Sequence, residues 1–142
     1  MTMRAAALGA FSGLAAGLVA GAILHILWVL PALSLLIARP PSPDAGWTVH
    51  GLISAAAGAL FGIIVESMEH KTRSRLIVAG LVAGAAVFVL GPLVLVPLAI
   101  GLGPQFPFIM KWLPVGAAYL VFGALMGAIH YAALGRPAER RV

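Results

Sequence analysis

The chain has 142 residues, 62% of them hydrophobic and only 9% charged, with a mean hydropathy of +1.08. Soluble domains carry roughly 25% charged residues, so a water-soluble globule is excluded, and the absence of cysteine excludes disulfides, thiolate metal sites and cysteine nucleophiles. The net charge of +5 sets nine Lys and Arg against Asp44, Glu66, Glu69 and Glu139; these bases stand at the ends of apolar runs, which fits anionic headgroups and not nucleic acid.

Four segments are long enough to cross a hydrocarbon core of about 30 Å, which takes roughly 20 helical residues. Lipid offers backbone groups no water, so each such run is read as a helix. The first, about Ala6–Leu30, follows Arg4 and is too long for the apolar core of a cleaved signal. It carries Gly9, Gly13, Gly17 and Gly21 four residues apart, a spacing costly in a soluble helix and suited to close packing in lipid. Residues 31–47 begin at Pro31 and hold a short apolar piece, Leu33–Ala38, read as an amphipathic turn along the interface. They then break at Arg39-Pro-Pro-Ser-Pro-Asp44.

The second span covers about Val49–Val65, extending through Glu66 to Met68, with Gly58 and Gly62 on its small-residue face. The tight, basic connection Glu69–Arg75 follows. The third span, about Leu76–Val96, carries Gly80 and Gly84. Gly91-Pro92 and Pro97 break its outer third, directing the chain into the next loop or else opening a cavity near His25 and His50. The loop Pro97–Lys111 is rich in Pro and Gly and nearly uncharged, so it is expected to pack on helix ends or dip into the interface. The fourth span, about Leu113–Leu134, carries Gly123 and Gly127.

Arg4, Lys71, Arg73, Arg75, Arg136, Arg140 and Arg141 fall on one side of the membrane, and only Arg39 and Lys111 on the other. That asymmetry places both termini in the cytoplasm, and Trp28, Trp47 and Trp112 lie at the opposite boundary, where an aromatic belt belongs. Gly13-Leu-Ala-Ala-Gly17 resembles Gly80-Leu-Val-Ala-Gly84, and Gly58-Ala-Leu-Phe-Gly62 resembles Gly123-Ala-Leu-Met-Gly127. The fold expected is an all-α integral membrane four-helix bundle forming a single domain over residues 1–142. It is open to being two duplicated hairpins of like orientation, unlike inverted repeats.

His25, His50, His70 and His130 are the only candidate cofactor ligands. Two pairs at two depths, His25 with His50 and His70 with His130, are what a carrier of two b-type haems would use. The plainer reading puts His50 and His70 at span ends, meeting water or headgroups, with only His25 and His130 at membrane depth. Glu66 and His130 either approach one another and relay a proton, or snorkel and anchor separately. No phosphate loop, Ser–His–Asp set or carboxylate pair is present, so no catalytic residue, resident cofactor or metal site is assigned, and the chain is not read as an enzyme.

The pattern Trp47-Thr-Val-His50-Gly through Gly62, then Gly91-Pro92, then Tyr119 through Gly123, Gly127, His130 and Tyr131 resembles small four-span inner-membrane proteins of bacteria and haloarchaea. The resemblance implies a four-span fold and supplies no catalytic residues. The expected role is a non-catalytic subunit or scaffold of a larger complex in the bacterial or archaeal inner membrane. Its expected partners are the lipid bilayer and other membrane subunits or copies of itself. The alternatives are a haem-binding electron carrier and a passive small-solute pore.

Overall fold

The computed structural model describes residues 2–37, 40–105 and 110–135; Arg39, Arg136, Arg140 and Arg141 lie outside the described residues. The chain is all-helical: α1 (Thr2–Ile26), α2 (Val29–Ser34), α3 (Pro43–Glu66), α4 (Arg73–Leu90), a π-helical turn (Gly91–Leu95), α5 (Val96–Ala99) and α6 (Leu113–Ala133). Four helical stretches are long and apolar enough to cross a membrane: Thr2–Ile26, Pro43–Glu66, Arg73–Ala99 and Met110–Ala133.

The first turnaround differs from the sequence reading. α1 stops at Ile26, because Trp28 takes a left-handed conformation (φ 57°) that redirects the chain. The apolar run continues past this point, which is why it reads as uninterrupted span. Leu30, Leu33 and Ser34 are buried and α2 packs against α3, so the start of the Leu33–Ala38 piece joins the core, while residues 35–37 turn outward with Ile37 exposed and Ala38 lies outside the described residues. Gly46 permits the approach: a Cβ there would stand 2.6 Å from the Leu30 carbonyl carbon. Ser34 Oγ donates to Pro31 O at 2.7 Å and accepts the Ser42 N–H at 2.9 Å, tying the end of α2 to the start of α3. α3 therefore begins at Pro43, not Val49. Ser42 is extended, proline stands at the head of the helix where its missing N–H costs nothing, and Asp44 meets the positive end of the helix dipole.

The third span also runs further than its prolines suggest. Pro92 lacks a donor and crowds the preceding turn. The chain widens into a π turn, where Val96 N–H reaches Gly91 O, and then resumes as α5. Pro97 cannot bond Leu93 O, and the Gln105 N–H takes that carbonyl at 2.8 Å, folding the loop back onto the span. The helix ends at Gly101 (φ +83°), with Gly101 N–H to Leu98 O at 3.1 Å and Leu102 N–H to Pro97 O at 2.8 Å. Those two bonds form a Schellman close.

α1 packs on α3 and α4 on α6; the two pairs meet mainly through α1 against α6, while α3 and α4 touch only slightly. Both pairs are glycine-to-glycine seams. A Cβ on Gly13 would fall 2.8 Å from Gly58 Cα, and one on Gly62 would fall 2.9 Å from Gly9 Cα. In the second pair a Cβ on Gly84 would fall 3.2 Å from Gly123 Cα, and one on Gly127 would fall 3.0 Å from Ile77 Cα. Gly17 and Gly21 face Ser54, Trp47 and His50, and Gly80 faces Gly123 and Gly127. All ten stripe glycines are therefore used inside the chain.

The contacts also set the repeat's register. Gly9 meets Gly58 and Gly62 as Gly80 meets Gly123 and Gly127, so Gly80 corresponds to Gly9, one turn away from the Gly13 suggested by local likeness. With that register Arg4, Gly9 and Gly13 fall on Arg75, Gly80 and Gly84. Trp47, Gly51, Gly58 and Gly62 fall on Trp112, Gly116, Gly123 and Gly127 with identical spacing. The core divides into two layers. Ala16, Ala20, Phe61, Val65, Leu76, Phe122 and Met126 fill one, and Leu24, Leu30, Leu33, Val49, Val115, Ala118 and Tyr119 fill the other.

Candidate functional site

At the end of the bundle that carries Arg4 and Lys71, three helix ends leave a cavity of about 340 Å³. α1 contributes Arg4, Ala5 and Leu8; α3 contributes Gly62, Val65 and Glu66. Lys71 comes from the short connection, and His130 and Leu134 from the end of α6. The seams position these groups. Gly62 packs on the Ala5 backbone, which brings the first turn of α1 against the last turns of α3. Lys71 Nζ donates to Glu66 O at 3.2 Å and Met68 O at 2.6 Å, satisfying carbonyls that the end of α3 leaves open.

His130 is fully buried, with its ring edge-on to Phe61 at 5.6 Å. Its Nδ1 lies 3.4 Å from Ser12 Oγ, and Ser12 Oγ donates to Leu8 O at 2.8 Å. Because the hydroxyl hydrogen is spent on Leu8, the contact is a hydrogen bond when the imidazole donates at Nδ1, which leaves Nε2 as an acceptor. Glu66 is half-buried; its Oε2 is covered and has no hydrogen-bond partner among the described residues. A covered carboxylate oxygen without a donor is costly, so this oxygen marks where the cavity is chemically incomplete.

The histidines do not fall where the sequence reading set them. His50, read as a span-end residue, is buried because α3 starts so early; its Nε2 lies 2.9 Å from Gly17 O and 3.5 Å from Ser54 Oγ. With a carbonyl as its nearest partner, Nε2 acts as the donor. His25, read as deep, is exposed at the end of α1 and stacks on Trp47 at 6.3 Å. Trp47 in turn meets His50 edge-on at 6.1 Å, so each of the two imidazoles packs on the same indole. His70 is exposed and lies 4.0 Å from Glu69, whereas His130 is enclosed in the bundle. Glu66 and His130 are the pair that the fold does bring to one cavity.

A second, apolar cavity of about 110 Å³ lies at the other end, lined among others by Leu33, Pro92, Pro97, Trp112 and Tyr119. The proline-rich turn does open a space, but its walls come from α2, the π turn, α5 with the loop after it, and the start of α6, and do not include His25 or His50. Among the described residues no group of three or more His, Asp or Glu gathers as a metal site. The roles of Arg4, Lys71 and Ser12 were not foreseen from the sequence. The one available signal was Ser12, a lone hydroxyl within the Gly and Ala face of the first span. Neither the protein-family models, nor the curated proteins, nor the solved structures compared with this chain give a match.

Proposed function

We propose that this chain is a non-catalytic subunit of a larger membrane assembly and that α4 is the helix it offers to its neighbour. The observation that supports this is a contrast between outward faces. The third span, Arg73–Ala99, is the least buried of the four, and the exposed row of α4 reads Val78, Val82, Ala86 and Val89, with Leu90, Leu95 and Leu98 exposed only toward the span's outer end. α1 and α3 instead expose Phe11, Leu14 and Leu18, and Leu52, Leu60 and Ile64. Short, β-branched side chains lose little rotamer freedom on packing and let helix backbones approach closely. The longer Leu and Phe side chains hold helix backbones further apart. The stripe glycines are consumed internally, so they make each hairpin rigid, and association falls to the valine row.

In this reading the end bearing Arg4, Lys71, Arg73 and Arg75 faces the cytoplasm of a bacterial or archaeal cell, as the positive-inside rule favours. Extraction of native membrane patches without detergent, followed by mass measurement, tests it. A discrete species well above the 14.6 kDa of one chain is expected, and a lone monomer across all mild conditions overturns it.

A further inference from the structure

The cavity between the ends of α1, α3 and α6 carries charge of both signs, and this goes beyond a scaffold role. Arg4 stands exposed on its wall, its guanidinium bonded to no other described residue, and a guanidinium offers five N–H donors. Lys71 uses two of its three ammonium hydrogens on the Glu66 and Met68 carbonyls and keeps one. Against these donors stands the half-buried Glu66 carboxylate, whose covered Oε2 has no hydrogen-bond partner among the described residues, on a wall that also includes the buried His130. The rest of the wall, including Ala5, Leu8, Val65 and Leu134, is apolar.

We propose that this cavity binds a phosphoethanolamine group, with the phosphate on Arg4 and Lys71 and the primary ammonium on the Glu66 carboxylate. A simple anion would be repelled by Glu66, and a simple cation by Arg4 and Lys71; a zwitterion of this kind meets both. Charge-assisted hydrogen bonds are the strong ones, and a primary ammonium carries three N–H donors where a quaternary one carries none. The site therefore selects ethanolamine over choline. Its volume lies in the range of small-ligand sites. Its place at the ends of spanning helices, with an apolar wall, matches the depth at which a phospholipid presents its headgroup to the acyl region.

The test is lipid retention by the purified full chain in native mass spectrometry, offered phosphatidylethanolamine, phosphatidylcholine and phosphatidylglycerol of identical acyl chains. The ethanolamine lipid is expected to be retained about tenfold over the other two, the ratio of one charge-assisted hydrogen bond. Glu66→Gln is expected to abolish that preference, while Arg4→Gln weakens all three lipids alike. A parallel arm adds free phosphoethanolamine: displacement of the lipid assigns recognition to the headgroup alone, and retention against it assigns the lipid as the ligand, each supporting a site for this group. Equal retention of the three lipids with no binding of free phosphoethanolamine overturns the proposal. So does an unchanged preference in a folded Glu66→Gln protein. The comparison of ethanolamine with choline lipid needs no variant and stands even if a variant fails to fold.

Discussion

Alanine at Gly123 and at Gly51 should shift stability in opposite directions, although the substitution is the same and both sites are helical. A Cβ on Gly123 would stand 2.8 Å from the Gly80 carbonyl carbon and 3.1 Å from Gly84 Cα. Carbon atoms settle at about 3.5–4.0 Å, so the α4–α6 seam must open by roughly 1 Å, against backbone that no rotamer can relieve. Overpacking of this kind costs about 1–3 kcal/mol, and the better helix propensity of alanine returns about 0.5–1 kcal/mol. The net expectation is a loss of about 1–2 kcal/mol. Gly51 has open space where its Cβ would go, with nothing within 4 Å, so Gly51→Ala should lose nothing and gain up to about 1 kcal/mol. Gly58→Ala, the register partner of Gly123→Ala, should match its loss. Equilibrium unfolding in mixed micelles, followed by tryptophan fluorescence, measures all three. Equal stability of Gly123→Ala and Gly51→Ala would refute the seam.

His50→Ala should cost about 2–4 kcal/mol through the cavity it leaves and the bond to Gly17 O it removes. His50→Phe should cost only about 1 kcal/mol in the same unfolding assay, because the ring volume remains. Trp28 is 77% exposed in a left-handed conformation, so Trp28→Asn, which tolerates that geometry, should raise the unfolding midpoint by the equivalent of about 0.5–1 kcal/mol. Ser74→Cys and Gly103→Cys report orientation in a chain with no other thiol. An impermeant maleimide on intact cells should label Gly103→Cys and reach Ser74→Cys only after lysis.

Helix number and span identity were legible because apolar length and the exclusion of water from lipid decide them. The seams were legible for a related reason: glycines four apart have few uses in a bundle other than close approach, and Gly58, Gly62, Gly123 and Gly127 met the partners that role requires. The turn at Trp28 was not, since hydropathy is blind to a left-handed residue inside an apolar run. That one miss propagated. It moved α2 into the core, let α3 start at Pro43 behind the Ser-Pro-Asp signal, and so put His50 inside the bundle and left His25 at the exposed end of α1. The inner cavity was half legible. Glu66 and His130 are ionisable groups near span ends and attract notice alone, but the nearness of Arg4, Lys71 and Ser12 depends on which helix pairs with which, and that is set by the three-dimensional register.

The membrane-subunit reading rests on the outer face of α4, and the cysteine-free chain allows a direct test. Single variants Val82→Cys and Leu60→Cys place one thiol at 65% and 59% exposed positions at similar depth, because Gly80 and Gly58 both lie in the Gly9-equivalent layer of their seams. A short photoreactive crosslinker attached to each thiol in native membranes should trap a discrete protein adduct at Val82→Cys and leave Leu60→Cys monomeric. Monomer at both positions, or adducts formed equally at both, would contradict the assignment of α4 as the partner-facing helix.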